Sequence, residues 1–268
     1  MCAAGPGFSG TLSVGRYAVN DCSGSIRRAL ITGGGRRIGA ELVKRCAALG
    51  FEVHCHVWRS QAAAQELLAQ LPGKNHQLSC CDLSSPEDRQ NWLKTLPGFD
   101  LVINNASCYR LTPAGGSEKA SDRQRYWQVN YHAPLEIIAH QKNLLRHGRN
   151  ALAITLLDCD VLEPDGGLKP YSEVPVGTDS YLATRIALAH KLLELSKEYA
   201  PALRLDAIAP GPVLPPVDCV GPGMTRILQK VPMQSSVGVE EIANAAEFFW
   251  RNPALTGVIL PVDGGMHL

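Results

Sequence analysis

The chain has 268 residues and a nearly balanced charge, with 26 basic and 25 acidic side chains and a formal net charge of +1. This balance excludes the strong overall field that recruits nucleic acid or a charged membrane surface. No apolar run reaches the length of a membrane span, and residues 1–26 lack the basic start and apolar core of a secretion signal. We therefore expect a cytoplasmic protein in which residues 1–26 form a flexible tail.

Beyond this tail, apolar strand patterns alternate with helical patterns up to the C-terminus. Strands are predicted at 29–32, 51–58, 77–81, 100–104, 151–157, 204–209 and 257–262, and helices at 38–49, 61–71, 86–96, 121–145, 180–199 and 239–250. Strands that alternate with helices imply a parallel sheet covered on both faces. The sequence therefore predicts an α/β fold in residues 27–268, built as a single-domain doubly wound parallel sheet (Rossmann fold).

A glycine-rich turn with two arginines joins the first predicted strand to the first predicted helix. Residues 32–39 have the sequence TGGGRRIG. Glycine lets the backbone turn tightly and approach a pyrophosphate, and the N–H groups at a helix N-terminus attract an anion. We therefore expect Gly33, Arg36, Arg37, Ile38 and Gly39 to bind a phosphorylated dinucleotide.

The end of the second strand indicates which dinucleotide binds, because this position meets the adenosine ribose. The strand ends in Trp58, Arg59 and Ser60. A site for NAD usually has Asp or Glu here to bind the ribose 2′-hydroxyl, whereas a cation and a hydroxyl suit a 2′-phosphate. The sequence therefore predicts NADPH as the cofactor. The alternative is an ordinary solvated arginine at a strand end.

Metal binding has little support in this sequence. His54 and His56 lie on one face of the second strand, where both imidazoles could in principle bind a metal. No third ligand is evident, and histidines that pack in a core or line a cofactor are commoner. The nine scattered cysteines include no C-x-x-C pair. We therefore predict no metal site.

Chemically useful side chains follow the later strands, where ligands of such sheets bind. Tyr181 and Arg185 are four residues apart on one helix face, so both can reach the same nicotinamide ribose. The segment from Asn105 to Tyr109, Asp158 and the Pro-Gly loop at 210–213 also follow strands. The clusters of proline and glycine at 164–177 and 210–223 are where active-site loops would lie.

These motifs resemble, in order and over nearly everything from Arg28 to the C-terminus, the short-chain dehydrogenase/reductase family. The resemblance adds Asp82 and Leu83 after the third strand and Asn130 in the long helix. It also implies a homo-oligomer, either a tetramer or a dimer. The cofactor-binding residues that it implies are Gly33, Arg36, Arg37, Ile38, Gly39, Trp58, Arg59, Ser60, Asp82, Leu83, Asn105, Ala106, Asn130, Tyr181, Arg185, Pro210, Gly211 and Val213.

Several positions resemble one subgroup, the pteridine reductases and the bacterial dihydromonapterin reductases. Arg37 stands where most of the family has glycine, and Asp158 stands where it has a catalytic serine, with Asp160 as a neighbour that could be confused with it. The resemblance implies NADPH-dependent reduction of a dihydropterin to a tetrahydropterin. It also implies that the pterin is bound by Arg37, Ser107, Tyr109, Asp158 and Tyr181; the alternative for Tyr109 is a loop aromatic packed on the core.

The catalytic set implied by the resemblance is Asp158, Tyr181 and Arg185, and Arg185 departs from the family pattern by replacing a lysine. Its permanent charge should hold the pKa of Tyr181 below the usual value of about 10, but it cannot readily lose a proton. Proton delivery would then run through Tyr181, Asp158 and water. The segment before Tyr181 is longer than in relatives, so Tyr171 is an alternative. Because no cation follows Tyr171 on a helix, we prefer Tyr181.

Two further functions stay open at this point. One is a carbonyl, ketoacyl or quinone reductase of the same family, because fold and cofactor do not determine the substrate. The other is a catalytically weakened NADPH-binding protein, which the replacement of the family lysine by Arg185 would favour.

Overall fold

In the computed structural model, residues 26–109, 118–144, 151–171, 180–213 and 223–268 are described. A seven-stranded parallel sheet forms the centre of the molecule, with the strand order β3-β2-β1-β4-β5-β6-β7. The strands are β1 (Arg28–Thr32), β2 (Glu52–Val57), β3 (Gln77–Cys80), β4 (Leu101–Asn104), β5 (Ala151–Leu156), β6 (Leu203–Pro210) and β7 (Ile259–Val262).

Helices cover both faces of this sheet. They are α1 (Arg37–Ala48), α2 (Gln61–Ala69), α3 (Pro86–Leu93), α4 (Ala120–Tyr126), α5 (Ala133–Leu144), α6 (Ser180–Tyr199), α7 (Gly223–Leu228) and α8 (Val239–Arg251). Successive strand residues point to opposite faces, so Leu30 joins the core cluster under α3, α5 and α6, while Ile31 joins the cluster under α1 and α8. The predicted doubly wound α/β fold is confirmed.

The strand order reverses between β1 and β4, which are neighbours in the sheet although β2 and β3 separate them in the chain. In open parallel sheets the crevice at such a reversal is the usual ligand site. The carboxyl ends of both strands lie there, followed by the glycine turn after Thr32 and by Asn105 after Asn104. The fold therefore places the two most informative sequence motifs side by side.

The prediction of one continuous helix at 121–145 is wrong. The chain instead forms α4, then a π-helical turn at Trp127–His132, and then α5. Pro134 has no N–H to donate to the carbonyl of Asn130, so regular α-helical pairing fails at this point. The wider turn contains Asn130, which is fully buried.

Some predicted features fall outside the described residues. These are residues 1–25 of the predicted tail, Leu145 of the long helix, and parts of the two loops rich in proline and glycine. A short helix that the sequence did not predict, α7, follows the second of these loops. None of the helices in the described ranges is long and apolar enough to cross a membrane.

Candidate functional site

The glycine turn is packed against the start of α1 and against the end of β4. Gly33 has a positive φ of 66°, a conformation that glycine adopts without strain. A Cβ atom on Gly39 would overlap the carbonyl oxygen of Gly33, so only glycine fits there. The Asn105 side-chain amide donates hydrogen bonds to the carbonyl oxygens of Thr32 (2.9 Å) and Gly33 (3.1 Å). The turn is therefore held in one shape by the neighbouring strand.

The exposed side of this turn fits an anion. Arg36 is the N-cap residue of α1 but makes no side-chain capping hydrogen bond, and the first turn of the helix carries no acidic residue. Arg36 and Arg37 are both exposed. Arg37 has a φ of 55°, which costs a residue with a side chain roughly 1–2 kcal/mol. A strained arginine at a ligand crevice is a candidate for function.

Further predicted cofactor-binding residues lie at the ends of β2 and β3. The Arg59 guanidinium carbon lies 3.6 Å from the centre of the Trp58 ring. A Cβ atom on Gly35 would lie only 2.5 Å from Oγ of Ser60, so this end of β2 borders the glycine turn. Asp82 Oδ1 accepts hydrogen bonds from the backbone N–H and the hydroxyl of Ser84. The predicted residues at the end of β2 thus lie beside the glycine turn.

A hydrogen bond joins the two residues predicted to deliver a proton. The Tyr181 hydroxyl donates to Oδ2 of Asp158 over 3.1 Å. The other carboxylate oxygen of Asp158 accepts the backbone N–H of Asp160, also over 3.1 Å, which orients the group. Tyr171 instead packs its ring near Trp127, with 6.5 Å between the ring centres. This geometry supports Tyr181 over Tyr171 and Asp158 over Asp160.

Arg185 is buried behind this pair and linked to two strand ends. Only 3% of its surface is exposed. It donates hydrogen bonds to the carbonyl oxygen of Leu156 and to the hydroxyl of Ser107. Its guanidinium carbon lies 5.3 Å from the centre of the Tyr181 ring, and its Nε atom has no hydrogen-bond partner among the described residues. Arg185 is therefore positioned to act on Tyr181 electrostatically.

Asn130 positions the loop after β4. Its side chain accepts the backbone N–H of Cys108 and donates to the carbonyl oxygen of the same residue. The Ser107 hydroxyl also lies 3.5 Å from Oδ1 of Asn130. The π-helical turn thus supports the same Ser107 hydroxyl that Arg185 contacts. A connected chain of polar groups runs from Asn130 through Ser107 to Arg185.

Arg185 lowers the pKa of Tyr181 as expected, but the prediction that this pKa lies below its usual value is wrong. Burial raises this pKa above the usual value of 10, and it outweighs every other influence. The charge of Arg185 does lower the pKa, but the Asp158 carboxylate adds to the increase. The hydroxyl therefore stays protonated at neutral pH and can serve as an acid.

An exposed aromatic ring lies over the proton-donating pair. Tyr109 is 51% exposed, and the centre of its ring lies 4.8 Å from that of Tyr181 in an edge-to-face arrangement. The buried ring of Tyr126 approaches Tyr181 from another element, at 6.2 Å. Tyr109 therefore presents an aromatic surface at the site, as stacking on a flat substrate requires.

The Pro-Gly loop is held against the end of β7. The Gly211 N–H donates to the carbonyl oxygen of Val262 over 3.0 Å, and a Cβ atom on Gly211 would lie 2.6 Å from Cα of Asp263. Pro210 and Val213 are buried on either side of this glycine.

Beside Asp158, a cavity of about 280 Å³ is lined by Cys159, Asp160, Leu162, Glu163, Pro164, Lys169, Met266 and His267.

The two histidines of β2 make ordinary core contacts. Nε2 of His56 lies 3.1 Å from the carbonyl oxygen of Cys81, and burial lowers the pKa of His56 to about 4. His54 pairs with the Ser79 hydroxyl. Within the described ranges, three side chains of types that can bind a metal lie close together, namely Asp158, Cys159 and Asp160. Burial raises the pKa of the Cys159 thiol, which makes it a poor ligand.

Several residues that build the site were not predicted from the sequence. Arg125 of α4 contacts both Trp58 and Asp82. Glu118 has a buried side chain that accepts hydrogen bonds from the Ser180 hydroxyl and from Arg123, which anchors the start of α6. These contacts span distant parts of the chain and follow no local spacing. Their one sequence signal is the concentration of arginine in α4.

Comparisons with known proteins show the family of this chain. A family model described as enoyl-(acyl carrier protein) reductase matches residues 34–267. The chain is 28% identical to L-xylulose reductase from Bos taurus, with 89% of this chain and 96% of the relative covered. It is 25% identical to dihydromonapterin reductase from Shigella flexneri, with the same coverage.

A solved structure extends the comparison to the fold. The structure of FolM alternative dihydrofolate reductase 1 from Brucella canis, complexed with NADP, is similar to this chain with a TM-score of 0.76 and 27% identity. The similarity covers 90% of this chain and 94% of that one.

Proposed function

This chain belongs to the short-chain dehydrogenase/reductase family, and from that premise we propose that it is an NADPH-dependent reductase that converts a dihydropterin into a tetrahydropterin. The hydrogen bond from Tyr181 to Asp158 carries this proposal. A carboxylate beside the proton donor would repel the oxyanion that develops when a ketone is reduced. The Asp158 carboxylate would instead accept hydrogen bonds from the N–H groups of an aminated heterocycle such as a pterin.

The proposed cofactor site has the chemistry that NADPH requires. The uncapped N-terminus of α1 and the exposed Arg36 suit the pyrophosphate. Arg59 and Ser60 lie together near the turn and suit a 2′-phosphate. The Brucella canis relative, whose structure contains NADP, supports the same assignment. When bound, NADPH supplies the hydride that reduces the substrate.

Each polar residue near Tyr181 then has a proposed role. Tyr181 donates the proton, because its raised pKa keeps the hydroxyl protonated. Asp158 orients this hydroxyl and binds ring N–H groups of the substrate. Arg185 cannot readily lose a proton, so the proton that Tyr181 gives up is replaced through Asp158 and water. Arg185 acts instead as a fixed charge near Tyr181 and as a donor to Ser107.

Three residues are proposed to hold the substrate. The exposed ring of Tyr109 stacks on the pterin. Arg37, held in a left-handed conformation at the crevice, donates to ring acceptors. The Ser107 hydroxyl already accepts from Arg185 and keeps a second lone pair for a ligand.

Oxidation of NADPH with a panel of dihydropterins, dihydrofolate, quinones and ketoacyl compounds tests the proposal. We expect turnover with a dihydropterin, loss of that turnover in Tyr181→Phe, and unchanged NADPH binding in this variant. Tyr171→Phe is the matched control and should keep full activity, because its ring packs near Trp127. Turnover restricted to ketones or quinones would refute the pterin assignment.

Two alternatives make different predictions in the same assay. The L-xylulose reductase relative favours a carbonyl reductase, which would reduce ketones faster than dihydropterins. The buried Arg185 favours an NADPH-binding protein with weak catalysis, which would bind NADPH without oxidising it. We also propose that the protein is cytoplasmic and assembles as a homotetramer or a homodimer.

A further inference from the structure

Two arginines from distant parts of the chain contact the same tryptophan. Trp58 lies directly after β2 and is 39% exposed, unusually open for so large an apolar ring. The Arg59 guanidinium carbon lies 3.6 Å from the centre of the indole, and that of Arg125 lies 4.4 Å from the same centre. Arg59 is the next residue in sequence, whereas Arg125 comes from α4. Cation–π contacts thus bring both guanidinium groups to one ring.

The positive charge gathered here is only partly compensated by a carboxylate. Nη2 of Arg125 lies 3.5 Å from Oδ1 of Asp82, which is a long contact between two partly exposed groups. The same carboxylate oxygen already accepts hydrogen bonds from the Ser84 N–H (2.9 Å) and hydroxyl (2.7 Å). A partly exposed ion pair at this distance is weak. Both guanidinium groups contact the same ring, so their like charges repel each other, and a bound dianion would relieve this repulsion.

The position of this cluster selects the anion. The end of β2 is where a dinucleotide fold places the 2′ position of the adenosine ribose. A Cβ atom on Gly35 would overlap the Ser60 hydroxyl, so this strand end lies beside the predicted phosphate-binding turn. A phosphate group accepts several charge-assisted hydrogen bonds at once, and guanidinium groups match its geometry.

We propose that Arg125 is a further specificity-determining residue, which binds the 2′-phosphate of NADPH together with Arg59. Trp58 is the positioning residue that holds both guanidinium groups. This inference rests on the proposed NADPH-dependent function and adds to it a cation from α4. It explains why an aromatic ring remains exposed at this strand end.

Equilibrium binding of four probes tests this inference without any turnover. Isothermal titration with NADPH, NADH, adenosine 2′,5′-bisphosphate and 5′-AMP is compared between the wild-type protein and Arg125→Gln. Loss of one charge-assisted contact should weaken the binding of NADPH and of adenosine 2′,5′-bisphosphate about tenfold. Binding of NADH and 5′-AMP should change less than about twofold, because neither carries a 2′-phosphate.

Arg123→Gln is the matched control, since it removes one positive charge from the same helix. Arg123 pairs with Glu118 and has no ring contact with Trp58 among the described contacts, so its loss should leave the preference for NADPH intact. Arg125→Lys should restore part of the preference, because it keeps the charge but not the fork of donors. This conservative variant also serves if Arg125→Gln folds poorly.

If Arg125→Gln weakened the binding of all four probes equally, the residue would only support the fold. If binding were unchanged, Arg125 would not contact the 2′-phosphate. Either result overturns the inference while leaving the proposed function intact. If the wild-type protein itself binds NADPH no more tightly than NADH, the proposed cofactor preference fails instead. Trp58→Leu should reproduce the selective loss if the ring positions both arginines.

Discussion

At the scale of single residues, the pKa of Tyr181 depends on burial and on two charged neighbours that act in opposite directions. Burial raises the pKa of its hydroxyl most strongly, the charge of Arg185 lowers it, and the Asp158 carboxylate raises it again. The sequence indicated the two charged neighbours correctly. It could not indicate the burial, which arises from the packing of α6 against elements far away in the chain. The sign of the shift was therefore wrong when only the arginine was considered.

Arg185→Met and Asp158→Asn should move the pH dependence of reduction in opposite directions. A proton donor loses activity as the pH rises through its pKa. Removing Arg185 removes the influence that lowers the pKa of Tyr181, so the alkaline fall in kcat/KM should move to higher pH. Removing the Asp158 charge should lower that pKa and move the fall to lower pH. The measurement is kcat/KM for NADPH oxidation across the alkaline range.

Tyr171→Phe serves as the control in this series and should keep the wild-type pH profile. If both substitutions shifted the alkaline fall in the same direction, Tyr181 would not be the titrating donor.

At the scale of secondary-structure elements, Arg89 joins four segments behind the site. Its side chain is 1% exposed and forms two hydrogen bonds of 2.7 Å with Glu136 of α5. It also donates to the carbonyl oxygen of Leu83 and to the side chain of Gln128 in the π-helical turn. The residue thus connects Leu83, a predicted cofactor-binding residue, to the turn that carries Asn130.

We predict that Arg89→Met destabilises the protein by about 3 kcal/mol, because it removes the cation paired with Glu136 and the donor to the Leu83 carbonyl, while Gln90 stays bonded to Glu136. The free energy of unfolding in urea measures this. Arg28→Met is the matched control: Arg28 is 46% exposed and pairs with Glu52 at 3.5 Å, so its loss should cost no more than about 0.5 kcal/mol. Equal effects of the two substitutions would contradict a structural role for the Arg89 network.

Hydrophobic periodicity predicted the strands and most helices to within a few residues, because apolar spacing follows directly from helix and strand geometry. The exceptions were the long helix and the short helix α7. Pro134 was visible in the sequence, but a proline can end, bend or widen a helix. The π-helical turn at Trp127–His132 shows that the helix widens before this proline.

At the scale of the whole molecule, the strand order brings residues from distant loops to one edge of the sheet. The sequence predicted this convergence, because parallel strands all present their carboxyl ends on the same side. Glycine turn, Asn105 loop, Asp158 and the start of α6 meet there as expected. Contacts that depend on how helices pack, such as Arg125 on Trp58 and Glu118 with Ser180, could not be predicted.

Transfer of deuterium from NADPH labelled at nicotinamide C4 to a dihydropterin tests the reductase assignment most directly. Mass spectrometry of the product should show one deuterium in the tetrahydropterin with the wild-type protein. Tyr181→Phe should form none of this product while still binding NADPH. A wild-type protein that leaves the dihydropterin unlabelled, but places the deuterium in the alcohol formed from a ketone, would contradict the account.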